Sequence, residues 1–318
     1  MANVNSEAAR GAGASRGGRA GMKSAMRPAA GDRAFQAFVR AYLAAAMLIV
    51  LYPLVYVVSS SLSSSYAVIS GRVALWPVDF SLDGYNAVFK HSLLMSGFWN
   101  AVFYAVFGTL VNLAMTIAAG FVLSRRELAG RGLLTFLFTF TMLFSGGMIP
   151  MYLTVRGAGL YNTRLAMMLP NAIGVWYLII CRTYFQNSIP RELAEAAELD
   201  GCSDISFFTR VALPLSAPII AVLALFYAVG HWNAYFDALM YLKSQSLWPL
   251  QIILRNILIQ SEISAEMLTD VRLMERSQGM KDLIKFSVIV VSSAPMLAIY
   301  PFVQKYFIRG IMVGALKG

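Results

Sequence analysis

A lipid hydrocarbon core takes about 20 mostly apolar residues per crossing helix, and six stretches of this chain reach that length. They run over residues 37–61, 98–123, 133–155, 165–187, 213–240 and 285–308. Four are free of charge over most of their length: Phe98 to Leu123, Leu133 to Val155, Leu165 to Cys181, and Phe286 to Gln304. Backbone polar groups in hydrocarbon must be satisfied within the segment, so runs of this kind are expected as helices. The period-two alternation of a membrane β-barrel is absent. Of the 318 residues 58% are hydrophobic and 13% charged, against about 25% charged in soluble domains. The fold class expected is all-α integral membrane, with six transmembrane helices. The run over 37–61 exceeds the 7–15 residues of a cleavable signal core, so it is expected to remain as the first span.

The formal charge of +10 does not point to nucleic acid. Seven basic residues fall in the first forty, Arg10, Arg16, Arg19, Lys23, Arg27, Arg33 and Arg40. The others are scattered between apolar runs instead of lining a groove. Residues 1–36 are expected to form a disordered basic tail. The short loop "SRRELAGRG" adds Arg125, Arg126 and Arg131, while Arg72, Lys90, Arg156 and Arg164 fall on the opposite side. The positive-inside bias then makes both termini cytoplasmic. It also makes the stretch 188–214 a cytoplasmic loop between spans four and five.

That loop is acidic, with Glu192, Glu195, Glu198, Asp200 and Asp204 against Arg191 and Arg210. Connectors lying on anionic lipid are usually basic, so an acidic one favours a protein partner. Ser188 and Pro190 are helix-start signals. Leu193, Ala196, Ala197 and Asp200 are expected on one helical face, beside Glu192, Glu195 and Glu198 on a neighbouring one. Gly201 stops the helix as a glycine past a C-cap does. Ser203 then caps a second helix with an apolar stripe of Ile205, Phe208 and Ala212. The expected object is a helix–glycine–helix elbow. Cys181 and Cys202 give neither a disulfide framework nor metal-ligand spacing, and no metal site is expected.

The same stretch carries a family resemblance. Glu195, Ala196 and Ala197 are followed after three residues by Gly201, and after nine more by Val211, Ala212, Leu213 and Pro214. This spacing resembles the signature loop of binding-protein-dependent ABC importer permeases, with Val211 where isoleucine is commoner. "GRVALWPVDFSLDGYNAVF" resembles the outer loop of carbohydrate-class permeases. "YPFVQKYFIRGIMVGALKG" is similar to the C-terminus of the second permease of maltose-type importers. "FSGGMIPMYL" and "HWNAYFDALMYL" resemble a branch handling complex or polymeric saccharides, including an alginate importer. The resemblance implies the type I ABC importer permease fold over 37–308, in a bacterial cytoplasmic (inner) membrane. Loop 188–214 would be a coupling helix seated in a separate ATPase subunit. It implies a non-catalytic chain binding no cofactor, with ATP and Mg on an ATPase dimer. The other partners implied are a second homologous permease, an extracytoplasmic solute-binding protein, a saccharide substrate and membrane lipid, with no nucleic acid. In the family the short C-terminal tail, here 309–318, reaches between the ATPase subunits, which marks Gly314, Lys317 and Gly318 as contacts. Independently of the likeness, the chain contains no G-x-x-x-x-G-K-[ST] loop to cradle ATP phosphates.

Polar groups inside spans are functional candidates. Trp232, Asn233 and Asp237 cluster beside His231 near the outer end of span five. Asn233 and Asp237 are four apart on one expected helix, a pattern suited to a sugar, although helix–helix hydrogen bonding explains it too. Tyr177 and Tyr184 share a face of span four and are expected to serve either packing or the substrate path. Gly146 and Gly147, ahead of Pro150, predict a kink or a close helix contact. In the loop 241–284, Leu250, Ile253, Leu254 and Ile257 keep helical step. That fits a helix on the outer membrane face or one touching a binding protein.

Two other classes compete. A secondary transporter normally places ion-coupling carboxylates or broken helices near the midplane, often with an inverted repeat. Asp237 is the lone acid in any expected span, and no repeat is visible. A membrane scaffold or sensor would carry a signalling domain, and none is visible. Within the importer class, a permease for amino acids or anions is the alternative to one for a saccharide.

Overall fold

The computed structural model describes residues 30–265 and 271–315, and among these every regular element is helical. Helix α1 (Ala30–Ser61) contains Pro53, and the chain divides there into two compact units. In the first unit Phe38, Leu43, Met47 and Ile49 are exposed along an apolar helix. Such a surface needs lipid or protein to cover it.

The second unit, Leu54–Gly318, carries the remaining described elements. Short helices α2 (Ser65–Ile69) and α3 (Asp83–Lys90) lead into α4 (Ser92–Phe103). A π-helical turn, Tyr104–Gly108, joins α4 to α5 (Thr109–Ser124), so 33 residues form one long apolar helix.

The expected third span does not form one rod. Helices α6 (Arg131–Leu143) and α7 (Met148–Gly157) meet at 118° across residues 144–147. Gly147 takes φ +90°, and the Ser145 hydroxyl accepts its N–H at 3.2 Å. The glycine pair therefore makes a sharp break, larger than a kink.

The fourth expected span is also shorter than its apolar run. A 3₁₀ turn, Arg164–Met167, and irregular residues 168–174 precede α8 (Val175–Ser188). Fourteen helical residues reach about 21 Å at 1.5 Å each, below the ~30 Å of a hydrocarbon core. Non-helical backbone at that depth has to be satisfied by protein, and two buried side chains do this. Asn112 on α5, 1% exposed, donates to the carbonyls of Asn171 and Ala172 at 2.8 and 2.9 Å. Its own carbonyl accepts from His231 Nε2. The Tyr227 hydroxyl accepts the Gly174 N–H at 3.1 Å and pairs with Thr116 Oγ1 at 2.7 Å.

Helices α9 (Arg191–Leu199) and α10 (Asp204–Phe207) follow, then a π turn (Phe208–Ala212) and α11 (Leu213–Leu215). After a 78° bend, α12 (Ala217–Trp232) carries the fifth apolar run, and α13 (Phe236–Tyr241) is a separate helix. Helix α14 (Leu250–Ala265) precedes α15 (Val271–Ala315), which begins well before the expected boundary at 285 and contains Pro295 and Pro301. Among the described residues three helices are long and apolar enough to cross a membrane, or up to five if each bent pair counts as one span.

Among the described residues, the two largest of four apolar clusters carry most of this unit's packing. One joins Leu94, Tyr104, Trp232, Leu250, Ile253 and Val288, and partly buried Leu254 and Ile257 pack against it. The apolar face of α14 is thus turned onto α4 and α15 and is not free to lie on a membrane surface. The other cluster joins Ile117, Phe121, Cys181, Phe185, Phe207, Leu223 and Tyr227. Here α5 and α8 approach closely, since a Cβ on Gly120 would lie 2.9 Å from Cys181 Sγ. Small residues at such contacts let membrane helices pack backbone to backbone.

Candidate functional site: the elbow at residues 188–214

Helix α8 runs through Ser188, so this serine ends a helix and does not start one. Ile189 is extended, and Pro190 (φ −59°, ψ 140°) stands at the N-cap of α9. Pro190 reads as a start signal because its missing N–H would have had no helical partner there. At the other end Gly201 has φ +73°. The Cys202 N–H reaches the Ala197 carbonyl at 2.8 Å, and the Gly201 N–H reaches Glu198 at 3.0 Å. This pair of bonds is a Schellman motif, which requires a left-handed residue after the C-cap. Ser203 caps the second arm, its hydroxyl accepting the Ser206 N–H at 3.3 Å. Asp204 sits in the first turn of α10, where a negative charge complements the helix dipole.

The inner surface of the elbow differs from the expected one. Ala194 and Ala197 of α9 pack against the second cluster, with Cys202, Phe208 and Val211. In the second arm Phe207 is buried, at 3% exposure, while Ile205 is 77% exposed. The π turn over 208–212 shifts the helical register, which is why a stripe drawn with a regular 3.6 period misplaces Ile205. The outer surface carries Leu193, Ala196, Leu199 and Ile205, all exposed, together with exposed Glu192 and Glu195, while Glu195 and Glu198, also exposed, border the opening toward the loop that follows α5. Among the described residues those three glutamates form no ion pair, whereas Asp204 is paired with Arg125 at 2.9 Å. The acids and apolar groups on one face offer both charge and buried area to a basic, apolar cleft. Leu213 and Pro214 lie in α11 at the foot of the elbow. Ser216, just beyond, bonds back to the Ala212 carbonyl at 2.7 Å where the chain turns into α12.

The expected substrate-path residues scatter. Trp232 is 3% exposed, donates to the Ser292 carbonyl at 3.0 Å and packs edge-on against Phe98. Its ring and N–H are committed to packing. Asn233 and Asp237 do not share a helix, because α12 ends at Trp232 and Asp237 belongs to α13. Exposed Asn233 folds back to the Val229 carbonyl at 2.9 Å. Tyr177 packs on Phe226 and Tyr227, and the Tyr184 hydroxyl donates to the Leu215 carbonyl at 3.2 Å, so both tyrosines tie α8 to its neighbours. Gly314 falls within helix α15, while Lys317 and Gly318 lie outside the described residues. The sequence reading missed the carbonyl-binding role of Asn112 and the pairing of Arg125. The signal for the first was an amide side chain set in the middle of an apolar run.

The fold is that of an ABC importer permease subunit. Residues 112–313 match the family described as binding-protein-dependent transport system inner membrane component, and the chain belongs to that family. It is 41% identical over 288 residues to the polygalacturonan/rhamnogalacturonan transport system permease protein YtcP of Bacillus subtilis, covering 90% of this chain and 99% of that one. It is 42% identical over 270 residues to the protein LplC of the same organism, covering 85% and 90%. Among solved structures it resembles a chain of a bacterial ABC transporter involved in the import of the acidic polysaccharide alginate. That match has TM-score 0.80 and 33% identity, and covers 88% of this chain and 99% of the other.

Proposed function

We propose that this chain is the translocation-path subunit of an ATP-driven importer for an oligo- or polysaccharide delivered by a solute-binding protein. The elbow would seat in an ATPase subunit, which holds ATP and Mg. As the ATPase dimer closes and opens, the elbow would carry that motion into α5, α8 and α12, the helices whose side chains share its apolar cluster. The observation that carries this reading is the elbow's outer face. It sets exposed Glu192 and Glu195, which form no ion pair among the described residues, beside Leu199, 90% exposed, on the loop that bears the family's signature.

The same reading takes the chain as six spans with both termini cytoplasmic, α8 and its preceding irregular segment making the fourth. It takes residues 1–36 as a basic tail and 309–318 as a tail lying between ATPase subunits. One relative is named for polygalacturonan/rhamnogalacturonan transport and the solved neighbour belongs to an importer of the acidic polysaccharide alginate, which favours a saccharide over an amino acid or an anion. The test is purification through a tag on this chain, with hydrolysis measured across a panel of saccharides and their binding protein. Stimulation by a saccharide is the expected result, and stimulation by amino acids alone would overturn the substrate class.

A further inference from the structure

The loop between α5 and α6 touches both arms of the elbow. Arg125, the C-cap of α5, donates from Nη2 to Asp204 Oδ1 at 2.9 Å. Its guanidinium lies 5.4 Å from the centre of the Phe121 ring and 5.3 Å from that of Phe207. Two residues on, Glu127 approaches Arg191 at 3.8 Å, on the first arm. Between these two attachments lies an open cavity of about 800 Å³, lined by Arg126, Gln186, Glu195 and Glu198 among others. The elbow is therefore not a solid continuation of the bundle. It stands off α5 and is held by an apolar contact at its root and by this short loop.

We infer that Arg125 is a positioning residue for coupling: stacked on Phe121 and Phe207 and paired with Asp204, it fixes the angle of the elbow's second arm against α5. This rests on the coupling role proposed for the elbow. The chemistry suits arginine specifically. A planar guanidinium can lie against two rings while its edge donates to a carboxylate, and an ammonium cannot match that geometry. Asp204 is 82% exposed, so the pair contributes little to overall stability. What it supplies is direction. Asp204 heads α10, and Phe207 at the end of the same helix is buried against Phe121, so two contacts one turn apart define an orientation.

The experiment uses the whole importer, with wild type, Arg125→Ala, Arg125→Lys, Asp204→Arg and the exchanged pair Arg125→Asp with Asp204→Arg. Three quantities are read: ATPase co-purifying with this chain, basal hydrolysis, and the ratio of substrate-stimulated to basal hydrolysis. Arg125→Ala is expected to keep association and basal hydrolysis while the ratio falls by about five-fold or more, the lower range of allosteric couplings. Arg125→Lys should fall between it and wild type. The exchanged pair should recover part of the ratio lost in Asp204→Arg. A wild-type ratio in Arg125→Ala overturns the inference. Should Arg125→Ala fail to insert, an exchanged pair no better than Asp204→Arg overturns it equally. A wild-type complex that lacks an ATPase, or whose hydrolysis ignores substrate, defeats the coupling reading itself, so the two failures are distinguishable.

Discussion

A Cβ at position 201 would meet no atom within 4 Å, so the cost of replacing Gly201 comes from its backbone, at φ +73°. That cost is about 1 kcal/mol or more for a left-handed L-residue, and it falls on the Schellman turn that joins the two arms. Gly201→Ala should insert normally and lower substrate-stimulated hydrolysis, as measured in the purified complex. Glu195→Lys should act more severely, because it sets a positive charge against the basic partner the family resemblance implies. Loss of one partner in a buried charge pair costs about 2–5 kcal/mol, so ATPase association in a pull-down should drop by tenfold or more. Trp232 makes the opposite kind of prediction. Its N–H bonds to Ser292 and its ring packs on Phe98, so Trp232→Phe should cost about 0.5–1.5 kcal/mol of stability. Thermal unfolding in detergent should show that loss while the ranking of saccharides in the hydrolysis assay stays as in wild type. A changed ranking would return Trp232 to the substrate path.

At the scale of elements, the apolar runs were legible wherever hydropathy alone decides the outcome. The long helix over Ser92–Ser124 and the turn at Gly201 follow from composition and from one glycine. The elbow's two arms were legible for the same reason, since Pro190, Gly201 and Ser203 act through their immediate neighbours. What escaped depends on partners distant in the chain. A hydropathy window over 165–187 cannot know that Asn112, some sixty residues earlier, will hold the carbonyls of Asn171 and Ala172 and let that run leave the helix. Likewise Arg125 counted only as a topological charge until Asp204, 79 positions away, was found beside it. The π turn over 208–212 defeated a fixed helical period and hid Phe207 behind Ile205. The tail belongs to this scale too. Helix α15 runs through Gly314 to Ala315, and deleting residues 314–318 should lower transport while leaving membrane insertion normal. Unchanged uptake in the truncated chain would remove the tail from the contacts.

For the molecule as a whole, the exposed apolar surfaces of α1 and α6 need lipid or protein to cover them, with Phe136, Phe140 and Phe144 lining the side and end of α6. A second, homologous permease is the expected protein covering. Intact-complex mass spectrometry should find one copy of this chain, one distinct permease and two ATPase chains, and two copies of this chain alone would contradict it. Transport by such an assembly draws on ATP and on nothing stored across the membrane, which separates it from an ion-coupled carrier. The most direct test is therefore uptake of a labelled saccharide into vesicles carrying the purified assembly with the binding protein on its substrate-loading side. Accumulation is expected when ATP is supplied to the ATPase side with ion gradients collapsed, and none when Glu195→Lys replaces the wild-type chain. Uptake that persists without ATP and follows a proton or sodium gradient would contradict it.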